Sequence, residues 1–230
     1  NNADCTLFVH PNNHPFDSDS VSINEKQQVE HFFSKNTYIK SKPNLCLSGI
    51  KIINKNNLKM IKNGVNSDFS KDHLKNFIKT KKVFAYYSRE YVKDVGTPKR
   101  IQQAKQDLKS IKYKRGILSK KIPAIFLDKD GVINKQINKK HYQDSKNILP
   151  GVFESIKKIN NSGFLSIVIT NQPAVSKGII TEKKLNKDLI ILSTKLGYKN
   201  AYLDKIYYCP HHPTSGFVGE IKQLKKKCVC

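Results

Sequence analysis

The sequence predicts an α/β protein whose second half is built on a parallel, Rossmann-like sheet. Strand and helix patterns alternate from Ile122 onward, in the order strand, helix, strand, helix, strand. An apolar run at 125–127 ends on two carboxylates, Asp128 and Asp130, and Gly131 follows at once. Alternating strands and helices favour a parallel sheet with covering helices. Because ligands of such sheets bind where the strands end, the two carboxylates are expected at the ligand-binding edge.

The remaining elements of this half follow from apolar periodicity and helix-start signals. Val152, Ile156 and Ile159 recur at helical spacing, and Thr181 is a favourable N-cap for a later helix. The predicted elements are a buried strand at 125–127, a helix at 151–161, a strand at 164–170, a helix at 182–196 and a strand at 203–208.

Residues 1–113 have a different rhythm and are interpreted as a separate α/β domain. Leu74, Phe77 and Ile78 indicate one helix, and Pro98 is well suited to begin another. Strand patterns lie at 5–9, 45–53 and 83–87. A basic stretch containing Gly116 separates this part from Ile122, so 114–121 is predicted to be a linker and 122–230 the second domain.

The composition is strongly basic, with a formal net charge of +24 over 230 residues. Only three of the 42 basic residues are arginine, the residue preferred for bidentate phosphate and base-edge contacts. The lysines are spread along the chain, which favours a solvated surface over a nucleic-acid partner, although polyanion binding remains an alternative. Such a charge can also attract phosphorylated substrates.

No apolar run is long enough to span a membrane, and the first residues have no signal-peptide pattern. These two observations predict a cytoplasmic protein without a membrane partner. In that compartment clustered cysteines are more often metal ligands than disulfides.

The polar residues that follow the two central strand patterns predict a site for Mg²⁺ and phosphate. Paired carboxylates at Asp128 and Asp130 are costly unless a cation lies between them, and Mg²⁺ prefers such hard oxygen ligands. Thr170 and Asn171 end the neighbouring strand pattern and could hydrogen-bond a phosphate oxygen. Two simpler interpretations remain open: an Asp-Gly turn after the first strand and capping of the second strand end.

Two short motifs near the end of the chain predict a structural Zn²⁺ site. Cys209-Pro-His211 and Cys228-Val-Cys230 supply three thiolates and one imidazole, the ligand types of closed tetrahedral zinc sites. His212 is a weaker candidate because adjacent residues rarely both point inward. Unrelated thiols are the alternative interpretation.

Taken together, the motifs of 122–230 resemble the haloacid-dehalogenase superfamily. Within it they are similar to the heptose 1,7-bisphosphate phosphatases and the histidinol-phosphate phosphatases. The matching stretches are FLDKDGVIN, LPGV, IVITNQPAVSKG, YYCPHHP and the final CVC.

The resemblance implies that Asp128 is the nucleophile and Asp130 the general acid and base. Mg²⁺ would bind the Asp128 side chain and the Asp130 carbonyl. Thr170, Asn171 and Gln172 would contact the substrate, and the zinc loop would shape its pocket.

The motifs of 1–113 resemble the later half of a sugar-1-phosphate nucleotidyltransferase. They are VHPNNHPFDSD, the Lys-Pro pair at Lys42, LSGIKIIN and EYVKDVGTPKR. The resemblance implies that Lys42 contacts the sugar phosphate, that Gly49 lines the sugar site, and that Asp94 helps to bind Mg²⁺. A nucleoside triphosphate would be the second substrate.

The two resemblances together imply neighbouring steps of nucleotide-activated heptose synthesis. One domain would remove the 7-phosphate of heptose 1,7-bisphosphate, and the other would transfer GMP from GTP to the remaining 1-phosphate. Neither family's full motif set is found within 1–230, so low activity of this chain in both reactions is expected. Histidinol phosphate is the alternative substrate, and a zinc-stabilised protein without catalysis is the alternative class.

Overall fold

Two β-sheets organise the part of the chain that the computed structural model describes, residues 2–35, 42–135, 145, 147–214 and 216–230. The first half contains β1 (Cys5–His10), β2 (Ser20–Ile23), β3 (Val29–Phe33), β4 (Cys46–Ile53), α1 (Leu74–Thr80), β5 (Val83–Tyr87) and α2 (Pro98–Lys109). The second half contains β6 (Ala124–Leu127), α3 (Val152–Asn160), β7 (Leu165–Asn171), α4 (Glu182–Tyr198) and β8 (Lys205–Cys209).

The first sheet has five strands in the order β3-β2-β4-β1-β5. β1 pairs antiparallel with β4 and parallel with β5, so this sheet is mixed. Alternate residues of β1 point into a core that α1 covers with Leu74 and Phe77. The strands and helices predicted in this half are present, whereas β2 and β3 are not predicted by the sequence pattern.

The second sheet confirms the predicted parallel α/β architecture. Its order is β6-β7-β8, and both strand pairs are parallel. α3 and α4 lie on one face, where Ile156 and Leu192 pack with Val168 of the central strand. Successive right-handed crossovers that advance in one direction place their helices on the same face, which explains this arrangement.

The opposite face of this sheet is partly exposed among the described residues, although Leu165 and Ile167 are buried there, and this corrects one prediction. Phe126, Ile169 and Tyr207 are 62%, 51% and 51% exposed. β6 is therefore a partly exposed edge strand and not the fully buried strand that its apolar sequence indicates. An apolar run does not reveal whether a second layer covers it.

The helix boundaries agree with the sequence signals to within a few residues. Thr181 caps α4, since its hydroxyl accepts the backbone N–H of Lys184 at 3.1 Å. Gly151, at φ 79°, precedes α3 in a left-handed conformation that suits glycine. None of the described helices has the length and hydrophobicity needed to cross a membrane.

A buried ion pair joins the predicted linker to the second sheet. Arg115 is 4% exposed and Asp204 is fully buried. The guanidinium donates to both carboxylate oxygens of Asp204, one of them at 2.9 Å. The same carboxylate accepts the backbone N–H of Ser166 in β7 at 2.7 Å, and the carbonyl of Asp204 accepts the Tyr87 hydroxyl from the first sheet. Arg115 is thus an anchoring residue within 114–121.

A second contact joins α4 to the first half. The Thr194 hydroxyl donates to the carbonyl of Lys42 at 2.8 Å. Tyr198 stacks on Phe16 with ring centroids 5.8 Å apart. A Cβ atom at Gly197 would lie 2.3 Å from the Pro15 ring, so only glycine permits this approach.

Replacing Arg115 with alanine is expected to destabilise the fold by about 3–5 kcal/mol, because it leaves the buried Asp204 carboxylate without its cation. Urea unfolding followed by circular dichroism measures this change. Arg100→Ala is the matched control, since its pair with Asp94 is exposed and is expected to contribute about 1 kcal/mol or less. Equal effects of the two variants would contradict the anchoring role.

Candidate active site and metal cluster

Three strands of the second sheet end at one edge, and each delivers polar groups there. Asp128 follows β6 and is exposed, and Asn171 ends β7 and is also exposed. Cys209 ends β8 and pairs with Asn171 in the parallel ladder. The carboxyl edge of the sheet therefore gathers a carboxylate, a carboxamide and a thiol, as parallel topology requires.

The Asp130 carboxylate is fixed through both of its oxygens. Oδ1 accepts the Lys129 ammonium at 2.7 Å, and Oδ2 accepts the Gln172 side-chain amide at 2.8 Å. Lys129 is fully buried, so this ion pair is screened little by solvent. Its positive charge lies between two carboxylates in sequence and offsets their mutual repulsion.

The sequence reasoning missed the role of Lys129. Its neighbours Asp128 and Asp130 drew attention, whereas a lysine in a basic chain is normally a surface residue. The available signal was its position between two carboxylates at a strand end, where a basic residue has an electrostatic reason to turn inward.

A tight turn after Asp130 explains the glycine that follows. Gly131 has φ 94°, a conformation that side chains with a Cβ rarely adopt. Its N–H donates to the carbonyl of Asn134 at 2.8 Å, and the N–H of Asn134 donates to the carbonyl of Lys129 at 2.8 Å. These two bonds close the turn and hold the two aspartates at the sheet edge.

Thr170 and Gln172 are buried on one side of the strand end, whereas the side chain of Asn171 between them is exposed. Thr170 is buried, and its hydroxyl accepts the Gln172 amide at 3.0 Å. Gln172 is 2% exposed, whereas Asn171 is exposed on the side of the sheet that carries Asp128. Of the three residues predicted to contact substrate, Asn171 has the most accessible side chain.

The donor set at this edge fits Mg²⁺. The Asp128 carboxylate is exposed and accepts the backbone N–H of Lys129 at 2.6 Å, which leaves further lone pairs for a cation. Hard oxygen ligands at one or two carboxylates, completed by water and phosphate, are the usual environment of Mg²⁺ in phosphoryl-transfer sites. The resemblance described above predicts that the Asp128 side chain and the Asp130 carbonyl would hold it.

The four predicted zinc ligands form a cluster in which their ligand atoms all lie within 4.8 Å of one another. The sulfurs of Cys209 and Cys228 are 3.4 Å apart, and His211 Nδ1 is 3.1 Å from the Cys230 sulfur. Sulfurs bound tetrahedrally at about 2.3 Å from zinc would be about 3.8 Å apart, so the spacing fits one metal ion. The cluster could hold a metal through three thiolates and one imidazole.

Hydrogen bonds within the cluster shift the pKa values of two of its thiols in opposite directions. Hydrogen bonding from the Cys230 backbone lowers the pKa of Cys228, while the hydrogen bond to Cys228 raises the pKa of the Cys230 thiol to about 11. Burial raises the pKa of the Cys46 thiol, which is fully buried in the first half, to about 12.

His212 lies outside the cluster. Its Nδ1 is 2.7 Å from the Thr214 hydroxyl, and its ring meets Phe217 edge to face. The structure therefore distinguishes two adjacent histidines that the sequence could rank only by their spacing.

The three residues assigned by the nucleotidyltransferase resemblance have different contacts and no contact partner in common among those described below. Lys42 is buried, and its ammonium donates to the carbonyls of Ser18 at 2.6 Å and Ser34 at 3.2 Å. Burial lowers the pKa of this lysine. Gly49 is exposed on β4 with open space beside it, and Asp94 is exposed and pairs with Arg100.

Sequence comparison shows that about half of the chain is similar to known enzymes. A D-glycero-β-D-manno-heptose-1,7-bisphosphate 7-phosphatase of Escherichia coli O6:H1 is 34% identical over 113 residues, which cover 49% of this chain and 57% of that protein. The enzyme of the same name from Photorhabdus laumondii is 35% identical over 109 residues, covering 47% and 56%. Both relatives are heptose-bisphosphate phosphatases. The chain spans little more than half the length of these relatives.

Comparison with solved structures finds a D,D-heptose 1,7-bisphosphate phosphatase from B. bronchiseptica complexed with magnesium and phosphate. It shares 25% identity at a TM-score of 0.38, over 43% of this chain and 56% of that one. A Mesorhizobium loti protein named as a HAD-like phosphatase shares 22% identity at a TM-score of 0.39, over 45% of this chain and 47% of that one. No protein-family model matches the chain.

Replacing His211 with alanine is expected to abolish tight binding of one zinc ion, because it removes one of the four clustered ligands. Zinc content after dialysis and titration with Co²⁺, whose visible spectrum reports thiolate ligands, measure the loss. His212→Ala is the control and should bind zinc as the unchanged protein does. Equal loss in both variants, or no zinc in the unchanged protein, would contradict the cluster as a metal site.

Proposed function

We propose that residues 122–230 carry the nucleophile part of a Mg²⁺-dependent phosphatase that acts through an aspartyl-phosphate at Asp128. The observation that carries this proposal is the geometry of the carboxyl edge. There an exposed Asp128 lies two residues before Asp130, whose carboxylate is held by Lys129 and Gln172. The sequence relatives support the same reaction class, since they are phosphatases by name.

The proposed reaction has two displacements at phosphorus. An Asp128 carboxylate oxygen attacks the phosphoryl group, the bond to the sugar oxygen breaks, and Asp130 donates a proton to the departing alkoxide. Asp130 then takes a proton from water, the water oxygen attacks phosphorus, and the bond to Asp128 breaks. Inorganic phosphate leaves, Asp128 is again a carboxylate, and Asp130 is again protonated, as it was before the first step.

The chain's own residues prepare these steps. Asn171 is exposed at the end of the strand next to the one that carries the nucleophile, and it can donate its carboxamide N–H groups to phosphoryl oxygens. Lys129 and Gln172 hold the Asp130 carboxyl in one orientation, as a group that gives and takes a proton at fixed positions requires. Bound Mg²⁺ supplies charge neutralisation of the phosphoryl oxygens.

We propose D-glycero-D-manno-heptose 1,7-bisphosphate as the substrate, with release of the 7-phosphate. The sequence relatives act on this sugar by name, and the basic surface suits a doubly phosphorylated ligand. Histidinol phosphate is the alternative substrate, and the ratio of kcat/KM for the two compounds distinguishes them. We further propose that the Cys/His cluster holds zinc in a structural role, because its four protein ligands leave no open position for chemistry.

We propose the second activity, nucleotidyl transfer to heptose 1-phosphate, on sequence motifs alone. Gly49, with open space beside its backbone, suits a surface that a sugar could approach. Lys42 would have to exchange its two carbonyl acceptors for the sugar phosphate before it could serve as that contact. Asp94 would have to release Arg100 to bind Mg²⁺.

Asp128→Asn is expected to slow phosphate release from the heptose bisphosphate at least about a thousandfold, because the amide is a poor nucleophile. Single-turnover assays with labelled substrate and Mg²⁺ measure the rate, and peptide mass spectrometry locates the phosphoryl group. Glu154→Gln, which neutralises an exposed carboxylate on α3, is the control and should leave the rate unchanged. Unchanged release by Asp128→Asn would sink the nucleophile assignment.

For the transferase, calorimetry is expected to detect GTP binding in the presence of Mg²⁺ and about tenfold weaker binding by Asp94→Asn, as loss of a metal-site carboxylate usually produces. Asp72→Asn, an exposed carboxylate in the same half, should bind GTP normally. No heat of binding with the unchanged protein would remove the transferase proposal.

A further inference from the structure

Gln172 is almost completely buried and uses three hydrogen bonds to join the candidate catalytic carboxyl to the metal cluster. Its Nε2 donates to Asp130 at 2.8 Å and to Thr170 at 3.0 Å. Its backbone N–H donates to the carbonyl of Cys209, a cluster residue, at 2.8 Å. One residue therefore contacts both sites.

The orientation of the Gln172 amide is determined by its neighbours. If the amide were turned over, Oε1 would take the position of Nε2 and face the Asp130 carboxylate. An ionised carboxylate can only accept hydrogen bonds, so that contact would be repulsive. With Nε2 there, both amide hydrogens have acceptors within a buried site. Because an unmade hydrogen bond is costly at such a position, the side chain has one favourable arrangement.

The segment after Gln172 contacts the loop that joins Cys209 to Cys230, here called the metal loop, at several further points. The N–H of Ser176 donates to the carbonyl of Pro210 at 3.3 Å, and the N–H of Ile221 donates to the carbonyl of Ser176 at 2.8 Å. A Cβ atom at Gly178, which has φ 71°, would lie 2.0 Å from the carbonyl oxygen of Gly219. The metal loop and residues 172–178 thus pack as one unit.

We infer that Gln172 is a positioning residue through which the Cys/His cluster fixes the orientation of Asp130. This inference rests on the proposed function, in which Asp130 gives and takes the proton. Gln172 is not a substrate contact in this arrangement, because its amide hydrogens are directed to Asp130 and Thr170. An ordered cluster holds the Cys209 carbonyl in place, and the hydrogen bond to that carbonyl fixes the position of Gln172. The hydrogen bond from the Gln172 amide then fixes the orientation of the Asp130 carboxylate.

The first test observes Asp130 without any turnover. The protein is labelled with ¹³C at aspartate carboxyls, and the Asp130 signal is identified by its loss in Asp130→Asn. Adding one equivalent of zinc to metal-free protein should shift this signal in the unchanged protein. Gln172→Ala should bind zinc but lose the shift, whereas an equal shift in Gln172→Ala would overturn the coupling.

The second test separates the two chemical steps. Acetyl phosphate has a leaving group that needs little protonation, so it can phosphorylate Asp128 even when Asp130 is displaced. Gln172→Ala and Gln172→Glu should accumulate the aspartyl-phosphate, with hydrolysis slowed about 10- to 100-fold. A change that merely reduced folding would lower formation and hydrolysis together, and the glutamate variant keeps the size of the side chain.

Gln103→Glu is the matched control, because Gln103 also donates Nε2 to an aspartate, Asp107, at 3.0 Å, but lies on α2. It should show normal hydrolysis of the aspartyl-phosphate. Formation and hydrolysis at normal rates in both Gln172 variants would overturn the inference while leaving the phosphatase intact. Absence of any aspartyl-phosphate in the unchanged protein would instead refute the proposed function.

Discussion

The buried Asp204 carboxylate is the constraint on which the arrangement of the sheets depends. The carboxylate accepts hydrogen bonds from Arg115 and from the backbone N–H of Ser166, and the backbone carbonyl of Asp204 accepts the Tyr87 hydroxyl. These partners come from three separate parts of the chain. A buried carboxylate without its cation is strongly unfavourable, so the three parts must come together for Asp204 to be buried at all. Because Ser166 and Asp204 lie at the amino ends of β7 and β8, the same contact fixes the strand alignment that brings Asn171 and Cys209 together at the carboxyl ends.

At that carboxyl edge the electrostatic problem is different. Two acidic residues lie close in sequence, and a buried lysine and a buried amide both donate hydrogen bonds to Asp130. Asp128 remains exposed and available. One carboxyl is therefore constrained and the other accessible, the division of roles that a proton-transfer group and a nucleophile require. The Cys/His cluster lies at the end of the adjacent strand and adjoins this site through Gln172.

The contact between α4 and the first half gives Lys42 a packing role. Its ammonium has backbone carbonyls as acceptors, and its own carbonyl accepts Thr194. A buried lysine whose ammonium has these acceptors is stable in its buried position. Any movement that exposes Lys42 would therefore also disturb the interface with α4. The two halves are thus linked both at Asp204 and at Lys42.

The sequence by itself determined the parallel architecture of the second half, because strand and helix periodicities depend on local spacing. It also identified the carboxylate pair and the four Cys/His residues, because these chemistries have short, recognisable spacings. It could not determine that Phe126 is exposed, that Lys129 turns inward, or that Gln172 contacts Asp130 and not solvent. Each of those facts depends on residues far away in sequence: the covering layer of the sheet, the neighbours of a buried ammonium, and the carbonyl of Cys209. Local pattern determines which groups are present, whereas burial and hydrogen-bond partners are properties of the assembled chain, and only the tertiary structure decided them.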